Sequence, residues 1–401
     1  MKDFDIFQAA LGLGEEWMVS KTEFKPQEKR LDIYLDFAPG TRFPCPVCGL
    51  PSKVYDTTER TWQHLNFFQY ATYIHARLPR VDCEADGIKQ IQVPWARERS
   101  GFTLLFEAMI MALADEMPVL AIAEMVGVHD TRIWRIIEHY VNKDVDNLDL
   151  SKVQNVGVDE TSSTRGHHYV TLFVDMDTSR VIFVTKGKDA DTLKAFSDHL
   201  GTHKGSADQI LEFSSDLSPA FISGVAKYFP NAHMTFDKFH VMKLLNAAVD
   251  ETRRSEQTQE KDLKSSRYVW LKNPNNLSKK ERTKLDSLSG KKLKTGRAYR
   301  MKLLFQEIFT YDEERAITGL KKWYVWATHS RLEPIKAFAK TLKKHWDGIV
   351  RWFKTKLTNG ILEGLNSLVQ AAKARARGYR SVEYFKLMIY MVAGKMGRLP
   401  T

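Results

Sequence analysis

Three acidic residues set the chemistry open to this chain. Asp159 ends the run Val156-Gly157-Val158, Asp216 ends the run from Gln209 to Ser215, and Glu363 follows a helix opening at Thr358-Asn359-Gly360. An apolar run that stops on an acid reads as a buried strand delivering a carboxylate to its exposed end. Carboxylates from two strand tips and one helix suit hard divalent cations. Two such ions about 4 Å apart activate an attacking oxygen and stabilise a leaving one in phosphodiester chemistry. Glu363, Asn366, Gln370, Lys373 and Arg377 recur at three and four residues. They therefore share a helix face on which a metal site would continue into a phosphate track. Asp237 competes for the second acid. Asp216 is preferred because the Leu217-Ser218-Pro219 turn frees its side chain, whereas Asp237 runs into a basic helix. His240 reads equally well as a helix-capping or core histidine, and Asp175 and Asp177 as hairpin-turn acids.

The three cysteines, Cys45, Cys48 and Cys83, fall in one region, which favours a metal over chance. Cys45-Pro46-Val47-Cys48-Gly49 has the form of a zinc knuckle, its glycine letting the backbone fold its amides toward two thiolates. A structural zinc needs a fourth donor, and Asp86 stands where a second C-x-x-C or C-x-x-H would end. His64 and His75 are the substitutes, and a knuckle that folds without metal is the competing reading.

The elements that must position these groups follow from periodicity. Residues 15–40 alternate as a hairpin of half-buried strands. Leu104 to Ala114, Val119 to Met125 and a helix from Asp130 form a helix-turn-helix pattern. Ala123, Gly127, Val128 and Ile133 occupy its small, turn and core positions, and Thr131, Arg132 and Arg135 face a major groove. A plain helical hairpin is the bland alternative. From 153 the order is three strands, helix, strand, helix, strand, the layout of a ribonuclease-H-like domain that sets the tips carrying Asp159 and Asp216 side by side. Residues 241–355 read as basic helices broken at 273–276, 287–290 and 331–334. A final helix carries the apolar stripe Leu362, Leu365, Val369 and Ala372, capped by Thr358-Asn359-Gly360.

The chain has 401 residues and a net charge of +11, unevenly spread. Residues 241–401 hold about 35 Lys+Arg against about 15 Asp+Glu, so the remainder is acidic. Positive charge on that scale attracts a polyanion, the phosphate backbone first, against the alternative of a solvated basic surface. Trp323, Trp326, Trp346, Trp352, Tyr324 and Tyr299 lie among the bases, mostly as helix-packing core, with one or two able to stack on bases. Neither a long apolar run nor a signal-peptide pattern is present, so a cytoplasmic, nucleoid-associated protein with no membrane partner is expected. In that reducing compartment a disulfide is the least expected use of the cysteines.

Taken together, G-V-D-E-T at 157–161, S-D-L-S-P-A-F at 215–221, D-K-F-H at 237–240, V-P-W-A-R at 93–97, T-N-G-I-L-E-G-L-N-S at 358–367 and A-R-G-Y at 376–379 resemble the bacterial insertion-sequence transposases of the L-three family. The resemblance covers nearly the whole chain in the family's order. It implies a multidomain α+β protein: a β-rich zinc-binding domain (1–98), a helix-turn-helix (99–150), a ribonuclease-H-like core (151–240 and 356–401, ending in a C-terminal helix) and an all-α basic insertion (241–355). It further implies Asp159, Asp216 and Glu363 as the DDE acids holding two Mg²⁺, with Mn²⁺ as substitute. Cys45, Cys48 and Cys83 become ligands of a structural Zn²⁺; Asp86 is the departure, since the family usually carries His or Cys there. Asp237 and His240 would support the catalytic sheet, with Asn366 beside them, and Lys373, Arg375, Arg377 and Arg380 would grip DNA. The expected activity is metal-dependent cleavage at terminal inverted repeats and transfer of the freed 3′-hydroxyl to target DNA by a homodimer on double-stranded DNA. A non-catalytic DNA-binding regulator and a structure-selective nuclease on the same fold are the alternatives.

Overall fold

The computed structural model describes residues 3–357 and 359–395, so the expected capping role of Thr358 lies outside the described residues. The chain divides into two units, residues up to Tyr140 and residues from Val141.

In the first unit, α1 (Asp3–Ala10) precedes β1 (Met18–Lys25), β2 (Arg30–Asp36), β3 (Arg42–Pro44), β4 (Pro51–Phe67), β5 (Tyr70–Cys83) and β6 (Gly87–Gln90). The strands form one sheet in the order β1-β2-β5-β4-β3, with β6 on β5. The β1–β2 hairpin matches the alternation of residues 15–40, but the long β4–β5 ribbon escapes sequence reading for a physical reason. Along β5 the buried residues fall at Ile74, Ala76 and Leu78 and then at Val81 and Cys83, a change of phase. The register shift between Val54 and Asp56 lies opposite that change. The extra residue, Tyr55, lies on β4, so strict alternation is lost along the ribbon.

Thr103 caps α2 (Leu104–Glu116) by accepting from the Phe106 N–H, and α3 (Val119–Val126) ends on Gly127 at φ +65°. That left-handed position makes the turn tight and is cheap only for glycine. α4 (Asp130–Asp146) follows, with Ala123, Val128 and Ile133 buried as the helix-turn-helix pattern requires. Buried Glu107 locks the arrangement, accepting from Arg97, Ser100 and the Tyr140 hydroxyl.

In the second unit, β7 (Asn155–Thr164), β8 (His168–Asp175), β9 (Arg180–Lys186), α5 (Asp191–Thr202), β10 (Glu212–Ser215), α6 (Pro219–Tyr228) and β11 (His233–Phe236) follow the expected order. The sheet runs β11-β10-β7-β8-β9, with β8 antiparallel to β7 and β9, and β10 parallel to β7 and β11. The fourth strand is shorter than its sequence pattern, because the Gln209 side chain donates to the Leu150 and Val153 carbonyls and holds the chain in a turn. Val156 and Val158 join Phe196, Phe213 and Phe221 in the core beneath α5 and α6. The acids at hairpin β8–β9 behave as turn acids: Asp175 accepts from the Asp177 N–H and the Thr178 hydroxyl.

The helical segment comprises α7 (Lys238–Glu256), α8 (Arg267–Leu271), α9 (Lys279–Ser289), α10 (Lys294–Ile308), α11 (Glu313–Thr328), α12 (Glu333–Lys344) and α13 (Trp346–Thr355). α7 runs unbroken through residues 240 and 241, and the expected break at 287–290 is only the end of α9 at Gly290. Trp270, Phe305, Trp323, Phe338 and Trp352 build its core, so most of the aromatics among the basic residues are packing groups; Trp326 is 38% exposed. α13 lies on β11 so closely that a Cβ on Gly348 would sit 2.5 Å from the Phe236 ring, and Arg351 pairs with Glu212 of β10. α14 (Gly360–Arg375) and α15 (Val382–Ala393) return to the sheet, α14 against β7 and α15 against β9. Among the described residues no helix is long and apolar enough to cross a membrane.

Candidate active site

The site is built along one seam. Gly157, Asp159 and Thr161 alternate onto the face of β7 that α14 covers. Leu362 packs on Gly157, Asn366 Nδ2 donates to Asp159 Oδ2 at 2.8 Å, and Gln370 Nε2 donates to Thr161 Oγ1 at 2.6 Å. Lys373 Nζ extends the series to the Ser162 carbonyl at 2.6 Å. Four helical residues advance about 6 Å and two strand residues about 6.6 Å. Helix and strand therefore stay in step for three contacts. Only glycine fits at 157, where a Cβ would lie 2.5 Å from Met176 Sδ and 3.0 Å from Leu362 Cδ2.

Asp216 follows β10, the neighbour of β7. Its side chain is not free, as the turn had suggested: Oδ1 accepts from the Ser218 N–H at 2.9 Å, because a carboxylate at this point of a turn captures the amide two residues on. Asp159 and Asp216 are nevertheless electrostatic neighbours. Burial pushes Asp159 up to about 7, helped by the charges of Glu160 and Asp216 and opposed by hydrogen bonds from the Glu160 N–H and Asn366. Glu160 is also raised, by burial and then by Asp216, while Lys188 and His240 pull the other way. Negative donors crowded in this way fit a divalent ion. Glu363 lies exposed on α14, one turn before Asn366. Asp159, Asp216 and Glu363 are not gathered as tightly as the cysteine cluster of the first unit.

Asp237 has a different task. It is fully buried, and its carboxylate accepts from the Phe239 N–H as the cap of α7 and from the Asn359 N–H at the start of α14. Both of its oxygens hold backbone N–H groups. Asn359 makes no side-chain cap for α14, contrary to the sequence pattern, because its amide oxygen accepts from the Ser214 hydroxyl at 2.6 Å. His240 is half-buried, its Nδ1 without a hydrogen-bond partner. Sequence reasoning passed over Glu160, although the Asp159-Glu160 pair was its only available signal.

Beyond Lys373, Arg377 and Arg380 line an open trough of about 600 Å³ together with Gln370, Tyr379 and Arg165. Arg165 had given no sequence signal, and Arg375 is not among the lining residues. Arg377 leaves the helical row, since α14 ends at Arg375 and Arg377 takes φ +56°.

In the first unit Cys45, Cys48, Cys83 and Asp86 present ligand atoms within 4.8 Å of one another. The substitutes are committed elsewhere: His75 Nε2 bonds Asp32 at 2.7 Å and His64 Nδ1 bonds Thr103 at 2.8 Å. The Leu50 backbone pulls the Cys48 thiol down, but Asp86, Cys83 and Cys45 outweigh it and push the thiol up to about 12. Three sulfurs and a carboxylate sharing protons is a donor set that zinc suits, since the ion replaces those protons. On α4, Arg135 is exposed, Thr131 Oγ1 bonds His129 Nδ1, and the Arg132 guanidinium stacks 4.2 Å from the Phe102 ring.

Comparison with known proteins joins these sites. Residues 156–389, more than half of the chain, match the transposase model of the DDE type in the ISL3 (L-three) family. The chain belongs to the ISL3 family of transposases. Residues 91–141 of this transposase match the helix-turn-helix domain of transposase family ISL3, and residues 41–86 match the zinc-finger of transposases IS204/IS1001/IS1096/IS1165. The transposase is 26% identical to the transposase for insertion sequence element IS1557 of Mycobacterium tuberculosis, a match covering 100% of this chain and 98% of that one. It is also 26% identical to the transposase for IS1001 of Bordetella parapertussis, over 95% of this chain and 96% of the relative. The cluster at Cys45, Cys48, Cys83 and Asp86 thus lies in a zinc-finger region, and α2 to α4 in a DNA-binding one.

Proposed function

We propose that this transposase binds the terminal inverted repeats of its own insertion sequence, cuts there, and joins the freed 3′-hydroxyl to target DNA. Water attacks the phosphorus at the element end and the P–O3′ bond breaks, giving a 3′-hydroxyl and a 5′-phosphate. That hydroxyl then attacks a target phosphorus and expels the target's own 3′-oxygen, which takes up a proton. Asp159, Asp216 and Glu363 would hold two Mg²⁺, or Mn²⁺, which supply Lewis-acid stabilisation of the leaving oxygen and lower the pKa of the attacking group.

The observation that carries this reading is the bond from Asn366 to Asp159, which puts Glu363 one helical turn from a buried, charge-crowded aspartate. Asn366 orients the Asp159 carboxylate, and Asp237 fixes the start of the helix that carries Glu363. Drawing Glu363 onto the aspartates is work for cations and DNA. Arg165, Lys373, Arg377 and Arg380 grip phosphates leaving the site, with Arg375 nearby, while Thr131, Arg132 and Arg135 read the repeat. The Zn²⁺ region (1–98) and helix-turn-helix (99–150) recognise ends. The core (151–240 and 356–401) cuts, and the basic insertion (241–355) steadies the duplex. Two ends must be joined, so the working form is a homodimer on double-stranded DNA, acting in the cytoplasm at the nucleoid.

The test is Mg²⁺-dependent nicking of duplexes bearing the element's own ends, with a target plasmid present. Asp159→Asn, Asp216→Asn and Glu363→Gln should each abolish nicking and keep end binding. End binding without nicking by the wild type would leave a DNA-binding regulator, nicking by all three variants at the wild-type rate would deny these acids their role, and nicked ends that never join the plasmid would leave a nuclease.

A further inference from the structure

The first turns of α7 carry a cavity that the cleavage chemistry above does not use. Phe239 is 52% exposed although it sits two residues from the buried cap Asp237. Phe239, Met242 and Asn246 recur at three and four residues and so share one face of α7. With Lys238, Asn273 and Gln306 they line a cavity of about 330 Å³. Within its wall Asn246 Oδ1 is buried and accepts no hydrogen bond, which costs free energy unless something brings a donor. Gln306 Nε2 donates to Asn273 Oδ1 at 2.9 Å, which makes that side a fixed polar wall. Lys238 Nζ stands 5.3 Å from the Phe239 ring centre and 4.9 Å from that of Trp352.

The place of this cavity matters as much as its lining. Asp237, two residues before Phe239, accepts from the Asn359 N–H at 3.0 Å, at the start of α14, the helix that carries Glu363. The first turn of α7 is therefore tied to the Glu363 helix and bears the cavity as well. An exposed ring offers a stacking face, the Gln306–Asn273 pair offers a polar edge, and an ammonium at the rim offers a partner for a phosphate. The space admits a planar heterocycle and excludes a duplex.

We propose that this cavity takes one nucleobase of the DNA, unstacked from the duplex next to the phosphate that is cut. The proposal rests on Asp159, Asp216 and Glu363 being the cleavage site. Phe239 stacks on the extruded base and Lys238 holds the adjoining phosphate, with Asn246 and the Gln306–Asn273 pair as the polar wall. Removing one base from the stack loosens the duplex where the backbone must enter the acidic pocket.

The full-length protein is mixed with element-end duplexes in which 2-aminopurine replaces, in turn, each base from three before to three after the cut, with Ca²⁺ in place of Mg²⁺ so that no cutting intervenes. One position should brighten on binding. At protein concentrations that saturate the ends, Phe239→Ala should return that position to the brightness of free duplex and Phe239→Tyr should keep it bright. Under Mg²⁺, Phe239→Ala should cut intact ends roughly tenfold more slowly, the scale of one lost base–aromatic stack. An abasic nucleotide at the bright position should restore the rate, because no base remains to be extruded. No bright position, or a Phe239→Ala defect that the abasic site leaves unchanged, would overturn the pocket even where nicking by the wild type proceeds. Absence of nicking by the wild type would instead count against the cleavage reading.

Discussion

Asn366 and Asp159 lie 207 positions apart and meet through one hydrogen bond of 2.8 Å, from the side-chain amide to the carboxylate. It is the middle contact of the β7–α14 seam, and with the Glu160 N–H on the other oxygen it fixes how the Asp159 carboxylate is turned.

Removing that bond should cost cleavage more than binding. A hydrogen bond to a charged group is worth about 1.5–3 kcal/mol. Asn366→Ala is expected to slow nicking on the order of tenfold to a hundredfold, with end affinity in a mobility-shift assay unchanged. A variant that nicks at the wild-type rate would deny Asn366 its orienting role.

The acid cluster should make the metal-free protein less stable as pH rises. Asp159 is raised from 3.8 to about 7, so its charged form is disfavoured in the fold. The folded state then binds more protons than the unfolded one between those values, and stability falls as pH climbs from about 4 to about 7, then levels. The full gap corresponds to about 4 kcal/mol at most. Asp159→Asn should therefore melt above the wild type at pH 7.5 and alongside it near pH 4, and Mg²⁺ should raise only the wild type. Thermal melts across pH check this, and a variant less stable at pH 7.5 would contradict it.

The cysteine cluster should hold about one zinc per chain, the occupancy of a closed four-donor site. Asp86→Ala is expected to weaken zinc retention against a chelator by at least about tenfold, and Asp86→Cys to tighten it. Elemental analysis and chelator competition read both, and metal content below about a tenth of an equivalent would remove the zinc assignment.

Gly157→Ala tests the seam by volume alone. Its methyl would meet Met176 and Leu362 at 2.5 and 3.0 Å, forcing α14 outward. Overpacking of this kind costs about 1–3 kcal/mol, and nicking should fall further than stability explains, because Asn366 and Glu363 ride on the same helix. Urea unfolding beside a nicking assay separates the two; unchanged values in both would mean the seam is looser than described.

The basic trough should be read as phosphate contacts by salt. Neutralising Arg165 or Arg377 with Gln should each lower the slope of log affinity against log salt by about 1, uniformly across DNA sequences. A change confined to one sequence would instead indicate base contact.

Much of this was legible in local pattern. The run ending at Asp159, the helix-turn-helix core of Ala123, Gly127, Val128 and Ile133, and the knuckle at Cys45 and Cys48 are short-range signals, and periodicity reports such signals well. The strand order of the core follows from them too, because three antiparallel strands and two crossovers leave few sheets to build. Other features depend on partners far along the chain. The buried face of β5 changes phase beside a bulge on β4, and Gln209 shortened a strand by bonding Leu150 and Val153. Asn359 gave up its cap for Ser214, and Asp237 spent both oxygens on backbone N–H groups. Side-chain hydrogen bonds of this sort answer to geometry in three dimensions, where either partner alone looks like any other polar residue. So residue types and spacing determined which groups are capable of the chemistry, while tertiary packing decided which hydrogen bonds each carboxylate makes and how far burial disfavours its charge, because both depend on groups brought together only by the fold.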